Sequence, residues 1–215
     1  MDNQSLILEI EKRLMEMEER KTWMPQEIKF FGPSTRTLAF FEPIGPESAL
    51  SLISQLHELD MQSPDMITLF LNTDGGNVTD SLAIYDCIKS LESPVAIIVT
   101  GICASGGLII LAAGDYRTAT ENSIFFYHQP IIDMDAVTST SEMESIKDLY
   151  HCHQTQLDKI IKKRTKIKVK DWNKNFEGKT SFYFDCQKAL EFGFIDSISI
   201  PEKKSMKIKE VKNGK

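Results

Sequence analysis

Val95-Ala96-Ile97-Ile98-Val99-Thr100 leads into Gly101-Ile102-Cys103-Ala104-Ser105-Gly106-Gly107, and Leu108-Ile109-Ile110-Leu111-Ala112-Ala113 leads out. A β-branched run, a turn of small residues and an apolar run in that order predict a strand, a tight turn and a buried helix. Small residues let backbone come close to backbone, and a turn at a helix N-terminus lifts one hydroxyl to where free N–H groups point outward. Ser105 stands at that point. Further on, Ser123-Ile124-Phe125-Phe126-Tyr127 reads as a buried strand ending at His128, Gln129 and Pro130. A serine at a strand-to-helix turn and a histidine at a strand end supply an attacking hydroxyl and a base for its proton.

Working outward, the same alternation recurs. Residues 37–41 and 66–71 read as strands. Pro46 opens a helix whose apolar face is expected at Leu50, Ile53, Leu56 and Leu59, and a second helix is expected from Val78 to Leu91. Strands alternating with helices of this length require right-handed crossovers, hence an α/β fold with a mostly parallel sheet. Reactive groups in such folds gather at the carboxyl ends of the strands, where Asn72-Thr73-Asp74-Gly75-Gly76, the Ser105 turn and His128 all fall. After an extended acidic piece with Asp133 and Asp135, a long helix is expected from Glu142 to Lys163, with Met143, Ile146, Leu149, Tyr150, Leu157, Ile160 and Ile161 at apolar positions. Asp185 is placed to cap a short helix from Cys186 to Phe192, and Gly193 to stop it. Residues 194–198 close as a strand.

At 215 residues the chain suits one sizeable core. Residues 1–32 hold an amphipathic helix, at 3–21, and a linker; 33–199 form the main domain; 200–215 are a basic tail with six lysines against two glutamates. A net charge of −6 argues against a nucleic-acid partner. No apolar run reaches a membrane span and the N-terminus does not read as a signal peptide, so a cytoplasmic location is expected. Cys87, Cys103, Cys152 and Cys186 lack CxxC spacing and read as thiols, not as a zinc site. His151-Cys152-His153 on a helix would point in different directions, which speaks against one shared ion.

Each site feature has an ordinary explanation: a turn at Gly75-Gly76, close packing at Ser105, a hydrogen-bonded core histidine at 128. Their joint occurrence at strand ends points to acyl chemistry, with the N–H groups of the Gly75-Gly76 loop and Gly106 as a pair of oxyanion donors.

The segment 71–130 resembles the proteolytic subunit of the caseinolytic (Clp) protease, the ClpP family, within the ClpP/crotonase fold of repeated β-β-α units. NTDGG at 72–76, IYD at 84–86, GICASGG at 101–107, LAAG at 111–114, NS at 122–123 and YHQP at 127–130 carry the likeness, with a weaker echo in ALEFGFID at 189–196. The resemblance implies a serine peptidase that cleaves peptide bonds in unfolded proteins or peptides. Ser105 would be the nucleophile, His128 the base, and the backbones of Gly76 and Gly106 the oxyanion hole, with no metal or other cofactor. It also implies a homo-oligomer of rings or stacked rings, joined through a protruding handle at about 131–163, and a Clp-type ATPase unfoldase as partner.

The chain departs from the family pattern in several places. Where the family usually has a catalytic aspartate, a gap-free match places Ser181, which brings no charge, so reduced activity is expected; Asp171, Glu177 and Asp185 lie nearby. The N-terminal helix replaces an extended arm, and Ile131-Ile132-Asp133-Met134-Asp135 replaces glycines in the handle. Gly106 stands where methionine is common, which is expected to leave empty volume beside the substrate. Three alternatives follow: a weak or inactive structural subunit, a Ser-Lys dyad drawing on the lysines of 162–170, and a crotonase-like acyl-CoA enzyme.

Overall fold

A computed structural model describes residues 35–131, 140–167 and 181–199; the expected N-terminal helix, residues 132–139 of the handle, the basic run from 168 and the tail from 200 lie outside them. Three strand–helix units come first: β1 (Thr37–Phe40) and α1 (Pro46–Gln62), β2 (Ile67–Thr73) and α2 (Val78–Ser90), β3 (Val95–Ala104) and α3 (Gly106–Ala113). The three strands pair in parallel. Ile67, Leu69 and Leu71 of β2 and Val95, Ile97 and Val99 of β3 are fully buried, and the residues between them are half-buried, as expected of strands covered on both faces.

β4 (Tyr116–Thr120) extends the sheet in parallel, and β7 (Ser197–Ser199) follows it, giving the order β1-β2-β3-β4-β7. β4 is absent from the sequence reading because one of its two inward residues is Arg117. Its guanidinium is buried yet paired with Asp196 (Nη2–Oδ1 2.7 Å, Nε–Oδ2 3.1 Å) and donates to the Arg164 carbonyl at 2.8 Å, so a charge occupies a core position with its partners in place.

β3 outruns its neighbours, and the reason lies at Gly101, with φ +90°. The β2–β3 register slips there, and the Asn72 side chain fills the gap: its Oδ1 accepts from Ile102 N–H at 2.9 Å, replacing a lost ladder bond. A Cβ at 101 would lie 2.8 Å from that oxygen, so only glycine fits. Beyond the break Ile102, Cys103 and Ala104 pair with β5 (Ile124–His128), away from the main order. β6 (Ser181–Asp185) then pairs antiparallel with β5.

The expected cap holds: Asp185 accepts from Lys188 N–H at 2.9 Å at the start of α5 (Cys186–Phe192), and Gly193 ends it at φ +75°. In α1 the buried face is Ala49, Leu52, Leu56 and Leu59, whereas Leu50 is 67% exposed. Leu56 and Leu59 are thus buried as expected and Ile53 packs against the core, whereas Leu50 points outward and Ala49 and Leu52 complete the face. α3 has no polar side chain and is buried throughout. Its C-terminal carbonyls are satisfied by cations: Arg164 donates to Ala112 O and Gly114 O at 2.7 and 2.6 Å, and Lys89 to Ala113 O at 3.2 Å. Arg164 ends α4 (Thr140–Arg164), which buries Leu157 and Ile161 but exposes Met143 and Leu149. Among the described residues no helix is long and apolar enough to cross a membrane.

Candidate active site

Ser105 has φ 53° and ψ −121°, the conformation of the second residue of a type II′ turn, where glycine is the usual occupant. An L-residue is strained there, and its neighbours hold it in place. Its N–H donates to Phe126 O at 2.8 Å, and its carbonyl accepts from Leu108 N–H at 3.0 Å. Gly75 packs so close that a Cβ on it would lie 2.6 Å from the Ser105 Cβ. The Ser105 hydroxyl makes no helix-capping bond.

The loop after β2 is held from behind by Ile44, whose N–H donates to Gly75 O at 2.8 Å while its carbonyl accepts from Asn77 N–H at 2.9 Å. Gly76, at φ +151°, lies between these two bonds, and a Cβ on it would collide with the Ile44 carbonyl. Among the described residues neither Gly76 N–H nor Gly106 N–H has a backbone acceptor outside the regular elements. Gly106 is the first residue of α3, where the helix dipole adds partial positive charge. The expectation of empty volume at Gly106 is corrected: a Cβ there would collide with Ser81 Oγ and lie 3.1 Å from Ile44 Cδ1.

His128 ends β5, half-buried, its ring 5.4 Å from that of Phe126. Its Nδ1 lies 2.6 Å from the Gln129 carbonyl oxygen. Pairing of Ala104 with Phe126 runs Ser105 alongside residues 126–128, about 4.8 Å across the ladder. Ser105, His128, Gly76 and Gly106 line one cavity of about 650 Å³, and α4 contributes Tyr150, His153, Leu157 and Ile161 to its wall. Among the described residues no hydrogen bond joins the Ser105 hydroxyl to the His128 ring. Register places Ser181 directly opposite His128 on β6, and cross-strand partners share a face. Ser181 is exposed, outside the cavity lining, and makes no hydrogen bond to the ring. Asp185 serves as the α5 cap, and Asp171 and Glu177 lie outside the described residues.

Residues 32–202 match the family model described as Clp protease. This chain belongs to the Clp protease family. It is 32% identical over 166 residues to the ATP-dependent Clp protease proteolytic subunit of Streptococcus uberis, a match covering 76% of this chain and 84% of that one. The subunit of the same name from Cyanophora paradoxa is 32% identical over 168 residues, covering 77% and 84%. Among solved structures, a point mutant of ClpP1 from Listeria monocytogenes superposes with a TM-score of 0.68 at 26% identity, covering 78% of this chain and 93% of that one. The expected ClpP fold is thus observed.

In this Clp protease family member burial raises the pKa of two side chains near Ser105, Cys103 and Tyr127. Burial pushes the Cys103 thiol far above its ordinary range, so it is no competing nucleophile. Burial also pushes Tyr127 up to about 12, against a smaller opposing effect of the Gln154 side chain. Lys162, Lys163 and Lys166, the described lysines of the basic run, do not line the cavity, which removes the support for a Ser-Lys dyad from them. Sequence reasoning missed Asn72 as the brace of the β3 break and Ser81 as the group that fills the space beside Gly106. The asparagine opening NTDGG was the available signal for the first; nothing local marks the second.

Proposed function

We propose that the chain is a serine peptidase that hydrolyses peptide bonds in unfolded proteins or peptides. Ser105 Oγ attacks the scissile carbonyl carbon while His128 Nε2 takes the hydroxyl proton. The carbonyl oxygen, now an oxyanion, accepts from Gly76 N–H and Gly106 N–H. Collapse breaks the C–N bond as His128 returns the proton to the leaving amine, and water repeats the sequence on the acyl-enzyme. The observation that supports this reading best is the strained Ser105, held beside two N–H groups and His128 in one cavity. Each oxyanion donor in such a site lowers the barrier by about 2.7–4 kcal/mol.

Assembly belongs to the proposal. Exposed Met143 and Leu149 on α4 suit the handle contacts of stacked homo-oligomeric rings, with cavities facing an inner chamber and an ATPase unfoldase feeding it. The test is a fluorophosphonate label on the assembled full chain. Near-stoichiometric modification of Ser105, lost in Ser105→Ala, together with peptide hydrolysis, supports the reading; an assembled, folded sample that does not label refutes it.

A second reading, a weak or inactive structural subunit, is favoured by Ser181 opposite His128 and by the lack of a Ser105–His128 bond. It requires the label to fail on this chain alone.

A further inference from the structure

The peptidase reading leaves open what orients His128, and the geometry points to the Gln129 main-chain carbonyl, not the Ser181 side chain. We propose that this carbonyl, held in direction by Pro130, sets the His128 tautomer and makes Gln129-Pro130 the positioning element of the site. The inference rests on the peptidase reading for its catalytic meaning, but the tautomer itself can be tested independently.

Three observations carry it. First, Nδ1 lies 2.6 Å from Gln129 O. A carbonyl oxygen can only accept, so Nδ1 must carry the proton, and Nε2 of the neutral ring keeps its lone pair. That is the form a base needs in order to accept from a serine hydroxyl, and a neutral imidazole in water favours the opposite tautomer. Second, the direction of the carbonyl is set by the sequence. A residue before proline is restricted to extended ψ, and it is this torsion that aims the Gln129 carbonyl. Among the described residues no backbone N–H reaches it. Third, Ser181 shares a face with His128 by register but makes no bond to the ring.

A carbonyl aligns the ring but brings no full negative charge to the imidazolium formed on proton transfer. The device therefore preserves geometry and tautomer while giving up the electrostatic help of a carboxylate. Asp74, Tyr127, Tyr150 and His153 are the other titratable groups lining the cavity, and no hydrogen bond joins Asp74, Tyr150 or His153 to the ring.

Two measurements on the full chain test this. Solid-state NMR of the sedimented protein labelled with 15N-histidine, with His128 assigned by its loss in His128→Ala, is expected to show protonated Nδ1 and bare Nε2 above the titration range. Pro130→Ala is expected to admit the other tautomer. A wild-type ring protonated at Nε2 overturns the inference whether or not Ser105 reacts; the expected tautomer with no Ser105 labelling instead sinks the peptidase reading.

The second measurement is the rate of fluorophosphonate labelling. Ser181→Ala should stay within about twofold of wild type, and Pro130→Ala should fall on the order of tenfold or more as the ring loses its alignment. Ser181→Asp, which brings a carboxylate opposite the ring, should restore most of that loss in the double variant, a rescue that a folding defect would not show. A loss of tenfold or more in Ser181→Ala, or an unchanged rate in Pro130→Ala, overturns the proposal.

Discussion

The backbone at Ser105 makes a quantitative prediction that separates strain from chemistry. At φ 53° and ψ −121° any residue with a Cβ is strained by about 1–3 kcal/mol, whereas glycine adopts this conformation freely. Ser105→Ala keeps the Cβ and so keeps the strain. Ser105→Gly releases it, at a cost of roughly 0.5–1 kcal/mol from the more flexible unfolded chain. The hydroxyl makes no helix-capping bond, so that contribution is equal in both variants. The glycine variant should therefore be more stable than the alanine variant by about 1 kcal/mol, and a chain of this size moves roughly 2–4 °C in Tm per kcal/mol. Thermal unfolding of both full-length variants at matched concentration measures it, since assembly makes Tm depend on concentration. Both should fail to label. If Ser105→Gly melts at or below Ser105→Ala, the turn is not strained and the account of how the hydroxyl is presented is wrong.

Further outcomes follow from other contacts. Gly76→Ala should reduce Ser105 labelling by about a hundredfold or more, because its Cβ meets the Ile44 carbonyl and must displace the donor loop. Asn72→Ala leaves Ile102 N–H without its acceptor and should cost about 1–3 kcal/mol in chemical denaturation, with slower labelling as the β3 break relaxes. For Asp196, burial pushes the carboxyl pKa up, but the hydrogen bonds and charge of Arg117 outweigh it and hold the pKa below its usual value. Its stabilisation is therefore full above the unfolded pKa near 3.9 and lost as pH falls through the lower folded value. Asp196→Asn should accordingly destabilise at neutral pH and flatten the acid limb below about pH 4 in a stability–pH series. Of the four thiols only Cys152 is exposed, and burial pushes Cys87 up to about 11, so iodoacetamide should modify Cys152 well before the others under native conditions.

Much of the site could be read locally because its parts are short and self-contained. The turn at Ser105 follows from small residues between two apolar runs, and the α5 boundaries follow from Asp185 and Gly193, each acting within one helical turn. The misreadings share a different cause. β4 hides because Arg117 sits inward only by virtue of Asp196 and Arg164, both distant in sequence. The α1 face moves off Leu50 because the sheet, not the helix's own pattern, chooses which side is covered. Gly106 looks like a vacancy until Ser81 from α2 occupies the space beside it.

Read alone, the 215 letters establish an α/β chain with a hydroxyl, an imidazole and a two-glycine loop at successive strand ends. Spacing and residue type act over a few positions, and those are visible in one dimension. The tertiary structure decided which of these groups meet. It broke β3 at Gly101, carried Ser105 across to β5, and paired β5 with β6 so that Ser181 faces His128. It also set the Gln129 carbonyl against the ring. Pro130 restricts the torsion that aims this carbonyl, but the strand register that places Ser105 and Ser181 beside the ring is not encoded in the identity of any single residue.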